Sequence, residues 1–289
     1  MADADAGVHL PPLREVIARH RLTARKSLGQ NFLLDTNLIG RIARQAGDFE
    51  GVAVIEVGPG PGGLTRALLA GAAREVVAVE RDPRCVAALG DLAAAYPGRL
   101  TVIAGDALEI DATELAPAPR AIVANLPYNI ATPLLFRWLD DAGAFTSLTL
   151  MFQKEVAARI TAAPGGGAYG RLAIFCQWLC RVRRLFDVPP RAFVPSPKVI
   201  STLVQLVPRA HPLAPADAAA LSSVTAAAFG QRRKMLRSSL RSLGVDVERL
   251  LADSDVPPGA RAEEIDIAGF CALARAYQSL SAEAGDACQ

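Results

Sequence analysis

The sequence predicts an α/β fold, a doubly wound parallel sheet followed by a small helical domain, on three observations. Short apolar runs of strand length alternate with Ala/Leu-rich helical stretches over roughly the first two thirds of the chain, the signature of strands joined by crossover helices. A glycine-rich turn, "GPGPGG" (residues 58–63), separates the first long apolar run from the helix after it. Beyond residue 217 the strand pattern stops and a helical one continues to about Tyr277.

In order, "VAVIEVGPGPGGLTRALLAG" (52–71) reads strand, glycine loop, helix. "EVVAVERD" (75–82) is a second buried strand ending in acids, and residues 83–96 are helical. "LTVIAGDAL" (100–108) is a third strand with Gly-Asp at its end, "RAIVANLPY" (120–128) a fourth, and "SLTLMFQ" (147–153) a fifth with a helix through Ile160. "PGGGAYGRL" (164–172) is a flexible loop and "FVPSPKV" (193–199) a rigid extended one. "STLVQLVP" (201–208) completes the sheet. The expected organisation is a mobile head over 1–20, the sheet domain over 21–208, a Pro-rich linker over 209–217, and a helical domain over 218–280 with a frayed tail after it. Ligands of such sheets sit at the carboxyl ends of the strands, where the unusual polar residues of this sequence gather.

At 289 residues, 51% hydrophobic and 21% charged, the chain fills a large core and is not globally disordered. Net charge is only +2, but "RHRLTARK" (19–26), "RVRR" (181–184) and "QRRKMLRSSLR" (231–241) are basic clusters. Each is equally the pattern of a solvated helix face. The five cysteines are scattered, and Cys176 and Cys180 read as buried thiols on one helix face. No Cys-x-x-Cys pair or Cys/His cluster suggests a zinc site, so no metal is expected. The start lacks a secretory pattern and no apolar run reaches the roughly 18 residues of a membrane span. A reducing, cytoplasmic setting and a monomer are expected. Of three histidines, His9 and His20 fall in the head and His211 in the linker, which argues against His-based acid–base chemistry.

Gly58, Gly60 and Gly63 satisfy Gly-x-Gly-x-x-Gly, with Glu80 at the distance expected of a ribose-binding acid. That fits NAD. Glu56-x-Gly58-x-Gly60-x-Gly62 fits an S-adenosylmethionine loop as well, and a plain structural turn remains open. Two features separate these readings. Asp106, after the third strand, is placed to accept a hydrogen bond from an adenine amine, although an Asp after Gly is commonly a turn residue. The other is "NLPY" (125–128), where a buried strand ends.

An adenine's exocyclic amine is a poor nucleophile because its lone pair is delocalised into the ring. An enzyme that methylates it must hold its hydrogens with acceptors. The Asn125 side-chain carbonyl is one acceptor. The backbone carbonyl next to Pro127 is a second, and proline stiffens the segment. Tyr128 offers a face for the target base, worth about 1–3 kcal/mol, once that base has left its stack. In-line transfer from a sulfonium needs positioning and electrostatics, with no strong base. Phe193, in the Pro-Ser-Pro loop, is placed to close over the other face, or is simply core.

The ordered motifs "KSLGQNFLLD", "EVGPGPGGLT", "ERD", "GDAL", "NLPYNI", "FQKEVAARI", "FVPSPKV" and "AFGQRRKMLRSSL" resemble those of the ribosomal RNA adenine dimethyltransferases, in particular the bacterial small-subunit branch, over nearly the whole chain after about residue 20. The resemblance implies a Rossmann-like class I S-adenosylmethionine-dependent methyltransferase sheet. It implies Asn31 and Leu33 over the glycine loop, Gly58 at the methionine portion with Gly60 beside it, Glu80 at the ribose and Asp106 at the cofactor adenine. Asn125, which also counts among the cofactor residues, would hold the target amine, Tyr128 its base, and Phe193 would assist. The implied reaction adds two methyls to each of two adjacent adenines in a hairpin loop near the 3′ end of 16S rRNA, in the assembling small ribosomal subunit, with the basic helical domain on rRNA phosphates. Gly230 stands where the family often has Asn, and Ala131 where Ser is frequent. The competing readings are a large-subunit (23S) adenine methyltransferase that confers macrolide resistance and a non-catalytic ribosome-assembly factor. A dehydrogenase would need a hydride-handling residue set that is not found.

Overall fold

The computed structural model describes residues 10–286; residues 1–9 of the expected head and 287–289 of the expected tail lie outside them. Two compact units divide the chain: residues up to Ala157 with Arg183–Pro208, and Ala158–Val182 with everything from Arg209.

The first unit carries strands β1 (Phe32–Leu33), β2 (Ala53–Val57), β3 (Glu75–Glu80), β4 (Leu100–Ala104), β5 (Arg120–Ala124), β6 (Leu148–Gln153), most of β7 (Cys180–Val188), β8 (Phe193–Val194) and β9 (Ser201–Pro208). Its helices are α1 (Leu13–Arg19), α2 (Thr36–Ala46), α3 (Gly63–Leu69), α4 (Pro83–Ala95), α5 (Tyr128–Asp140) and the start of α6 (Lys154–Ile160). Seven strands form one sheet in the order β4-β3-β2-β5-β6-β9-β7. β2 pairs in parallel with β3 and β5, β3 with β4, and β5 with β6, whereas β9 runs antiparallel to β6. All five residues of β2 are buried, as expected of a strand covered on both faces. From β2 the chain builds outward through β3 and β4, then returns to lay β5 on the other side of β2. The reversal sets the carboxyl ends of β2 and β5 side by side, the switch point at which open α/β sheets bind ligands. There the glycine loop and the Asn-Leu-Pro-Tyr turn meet.

Three expectations need correction in this unit. Residues 13–19 of the head form α1, with Leu13 and Val16 buried; Leu22, also buried, packs with Val16, Phe32, Cys85 and Ala88. Burying each such side chain contributes about 1.5–3 kcal/mol, enough to order this part of the head. "CRVRRLFDV" is a strand at the sheet edge, missed because its arginines mask the apolar run; charged residues are normal on an edge. Cys180 therefore opens β7 while Cys176 lies on a helix, so the two thiols, both buried, do not share a helix face.

The second unit is helical: α7 (Arg171–Leu179), α8 (Ala218–Gly230), α9 (Leu236–Ser239), α10 (Val247–Asp253) and α11 (Ile267–Asp286). Residues 158–182, expected within the sheet domain, cluster here. The reason is apolar: Tyr169, Ile174 and Trp178 share one core with Leu221, Val224, Leu236, Leu250 and Phe270. α11 runs through "SAEAGD", where a frayed tail is expected. No helix of the described residues is long and apolar enough to cross a membrane.

Candidate active site

The turn after β2 uses glycine for two reasons. Gly58 and Gly60 have φ of 70° and 57°, a left-handed conformation that disfavours other residues. A Cβ on Gly60 would also lie 3.2 Å from the Phe32 ring, and one on Gly58 3.7 Å from Pro127 Cδ. Glu80, 6% exposed at the end of β3, ties this turn down. Its Oε2 accepts from the Gly60 amide at 2.9 Å, and its Oε1 from the amides of Arg81 and Asp82 at 2.9 and 2.8 Å. Burial pushes the carboxyl above its usual range and the three amides oppose that shift. A carboxylate has about four acceptor sites, so one remains for a ligand hydroxyl.

A second layer lies against the turn. From the sequence alone, "GQNFL" (29–33) reads as a helix start. It follows instead a 3-10 turn (Lys26–Leu28) and runs from a left-handed Gly29 into β1, which pairs antiparallel with β8 so that Leu33 opposes Phe193. Helix α2 begins only at Thr36, where Asp35 accepts from the Leu38 amide at 3.0 Å. The Asn31 amide donates to the Gly29 carbonyl at 3.2 Å. Gln30 anchors the segment: its Nε2 donates to Asp82 at 3.1 Å, and its Oε1 accepts from the Arg25 amide at 2.9 Å. Asp82 is fully buried. Its hydrogen bonds from Arg84 at 2.6 and 3.0 Å, with help from Gln30, lower its carboxyl to about 2.

The third layer follows β5. Asn125 is half-buried, and no protein group among the described residues holds its side-chain amide. Pro127, at φ −54°, caps α5, so Tyr128 is the first helical residue. The Tyr128 hydroxyl lies 2.7 Å from Ser201 Oγ on β9. Phe193 is 3% exposed and packs with the core around Leu33 and Leu203. Asp106, after β4, accepts from the Leu108 amide at 3.0 Å and pairs with Arg81 Nη1 at 2.9 Å.

All nine residues singled out by sequence reasoning, Asn31, Leu33, Gly58, Gly60, Glu80, Asp106, Asn125, Tyr128 and Phe193, line one cleft of the first unit. Glu56 lines it too. Sequence reasoning missed Gln30, Arg81, Asp82 and Ser201. Gln30 sits inside a quoted motif, but Ser201 lies 73 residues from its partner, and no local pattern announces it. Among the described residues no group of three or more His, Cys, Asp or Glu is arranged to hold a metal ion.

Comparison with known proteins shows the family. The protein family described as "Ribosomal RNA adenine dimethylase" matches residues 21–279. A Rhodospirillum rubrum protein named "Ribosomal RNA small subunit methyltransferase A" is 62% identical over 273 residues, 94% of each chain. A protein of the same name from Paramagnetospirillum magneticum is 63% identical over 93% of this chain and 96% of its own. Among solved structures, a dimethyladenosine transferase from Plasmodium falciparum superimposes with a TM-score of 0.74 at 25% identity, covering 84% of this chain and 96% of the other. The 23S rRNA methyltransferase ErmE follows at 0.66 and 30% identity, covering 86% of this chain and 100% of the other. Because the family match runs through both compact units and not the sheet alone, the chain belongs to the ribosomal RNA adenine dimethylase family.

Proposed function

We propose that this protein dimethylates the exocyclic amines of two adjacent adenines in the 3′-terminal hairpin loop of 16S rRNA, using S-adenosylmethionine, on the assembling small ribosomal subunit. One observation carries the reading: an unengaged Asn125 amide and the Tyr128 ring share a cleft with the glycine turn that Glu80 holds. The names of the relatives at 62% and 63% identity support the small-subunit substrate. A cytoplasmic monomer is part of the reading.

The cleft residues fit the cofactor. Glu80 keeps an acceptor for a ribose hydroxyl, Asp106 offers a carboxylate to an adenine amine, and Gly58 leaves the methionine end free of a side chain. Bound S-adenosylmethionine supplies an electrophilic methyl on a sulfonium leaving group. The chain's own residues do the rest. Asn125 Oδ1 and the Leu126 carbonyl accept the two amine hydrogens and turn the lone pair toward the methyl. Tyr128 carries the base, and Phe193 backs the cleft. The proton released by the methylated amine passes to water, so no histidine is needed. In the second unit the exposed Arg233, Lys234, Arg237 and Arg241 meet rRNA phosphates, contacts that position without specifying sequence and weaken with salt.

The test is transfer of labelled methyl from S-adenosylmethionine to small subunits lacking the modification, read by nucleoside mass, with unmodified large subunits in parallel. Dimethyladenosine on the small subunit alone is expected. The likeness to ErmE favours a second reading, a 23S enzyme, for which the label would appear on the large subunit.

Glu80→Ala removes the ribose acceptor and three charge-assisted bonds, one of them to the glycine turn. Such bonds contribute about 1.5–3 kcal/mol each, so the cofactor Kd should rise at least tenfold by calorimetry. An unchanged Kd would remove Glu80 from the site.

A further inference from the structure

We propose that Ser201 is a positioning residue for methyl transfer: its hydrogen bond to the Tyr128 hydroxyl fixes the position of the ring that carries the target base. The inference rests on the proposed role of Tyr128 and extends it to a residue outside the cleft.

Tyr128 is held at two ends. At the backbone, Pro127 and the start of α5 fix its φ and ψ. That leaves the two side-chain torsions, which set where the ring face points. A ring held only at Cα swings freely about the first, whereas a bond at the far hydroxyl stops that swing; the oxygen lies on the axis of the second, which the bond leaves to packing. Ser201 supplies this bond at 2.7 Å.

The anchor is itself rigid. Ser201 is fully buried and pairs with Gln153 across the β6–β9 ladder. On one side of it the Ile200 carbonyl accepts from the Lys154 amide at 2.9 Å. On the other, the Thr202 hydroxyl donates to Asp187 at 2.8 Å. Ser201 does not itself line the cleft, so it touches neither cofactor nor base and reaches the chemistry only through Tyr128. Burial raises the Tyr128 phenol above its ordinary pKa, so both partners stay neutral and the bond persists across the working pH range. Displacement of a reacting group by about 1 Å costs up to about a hundredfold in rate, and the position of the ring sets where the amine sits relative to the methyl.

The experiment uses the full chain, small subunits lacking the modification, and saturating S-adenosylmethionine. Ser201→Ala is expected to lower kcat about fivefold or more, the effect of one lost hydrogen bond, with cofactor Kd unchanged and the same factor at pH 6.5 and 8.5. Tyr128→Phe breaks the same bond from the other end and should lose the same factor, while Tyr128→Ala loses much more because the stacking face is gone. The Tyr128→Phe/Ser201→Ala double variant should be no slower than Tyr128→Phe alone, and Ser201→Thr should recover activity. A purely structural serine would cost stability equally in both backgrounds and multiply the losses. Wild-type kcat in Ser201→Ala, or multiplying losses in the double variant, overturns the inference while leaving the function standing. If Ser201→Ala does not fold, wild-type kcat in Tyr128→Phe overturns it equally. A wild-type protein that methylates no adenine on the small subunit overturns the function, and this inference with it.

Discussion

Asn125→Ala is expected to lose methyl transfer by about a thousandfold while changing cofactor affinity by no more than a few-fold. The size follows from the role proposed for the side chain: its carbonyl is a preorganised acceptor for an amine whose charge develops in the transition state, and removing one such group typically costs about a hundred- to a thousandfold. The specificity follows from the local structure. Among the described residues no protein group holds the Asn125 amide, so its removal breaks no internal bond there, and the turn stays in place through Pro127 and the buried Leu126. In the proposed reading the grip on the cofactor is carried by Glu80, Asp106 and the glycine turn. Single-turnover transfer with calorimetric cofactor binding on the same sample checks both halves. Activity equal to wild type would defeat the acceptor role, and a matching collapse of cofactor binding would make Asn125 chiefly a cofactor residue.

How much of this was legible in the sequence depended on the distance over which each feature is encoded. Strands β2 to β6 and β9 were readable because each is a short apolar run with a breaker at its end. The glycine turn and "NLPY" were readable because their chemistry is local: a left-handed backbone, an amide, a proline, a ring. The 26–35 segment was not, since its ribbon is fixed by pairing with residues 193–194 and by Gln30 on Asp82. β7 hid behind its arginines, and the membership of 158–182 in the helical unit is a matter of which apolar faces meet. The same limit applies to the site. Glu80 announced itself by spacing from the glycines, yet its three backbone amides did not. Ser201 looks like any strand serine until the fold brings it to Tyr128.

Glu56→Gln is expected to raise the melting temperature at pH 8.5 and to leave it nearly unchanged at pH 4. Glu56, 1% exposed in the middle of the sheet, is pushed up to about 8, chiefly by burial; the nearby Thr65 hydroxyl opposes the shift and the charge of Glu80 adds to it. Neither its Oε2 nor the Thr65 hydroxyl completes a hydrogen bond of good geometry, so Thr65 offsets only part of the cost of an ionised carboxylate there. Below the unfolded value of 4.5, both folded and unfolded chains hold the proton and no penalty arises. Between 4.5 and about 8 the unfolded chain sheds it while the folded one keeps it, so stability falls as pH rises. Above about 8 the loss levels off at a ceiling of about 5 kcal/mol, from about 1.4 kcal/mol per pH unit. Glutamine has nearly the same shape and cannot ionise, so it escapes the loss. Other groups titrate in the same window, but they do so equally in both proteins, so the difference between the two pH profiles isolates Glu56. Parallel profiles from pH 4 to 8.5 would mean that the carboxylate is already ionised in the fold. Because Glu56 lines the cleft, a bound cation favours its ionised form, and saturating S-adenosylmethionine should flatten the wild-type profile while leaving the Glu56→Gln profile with its original slope.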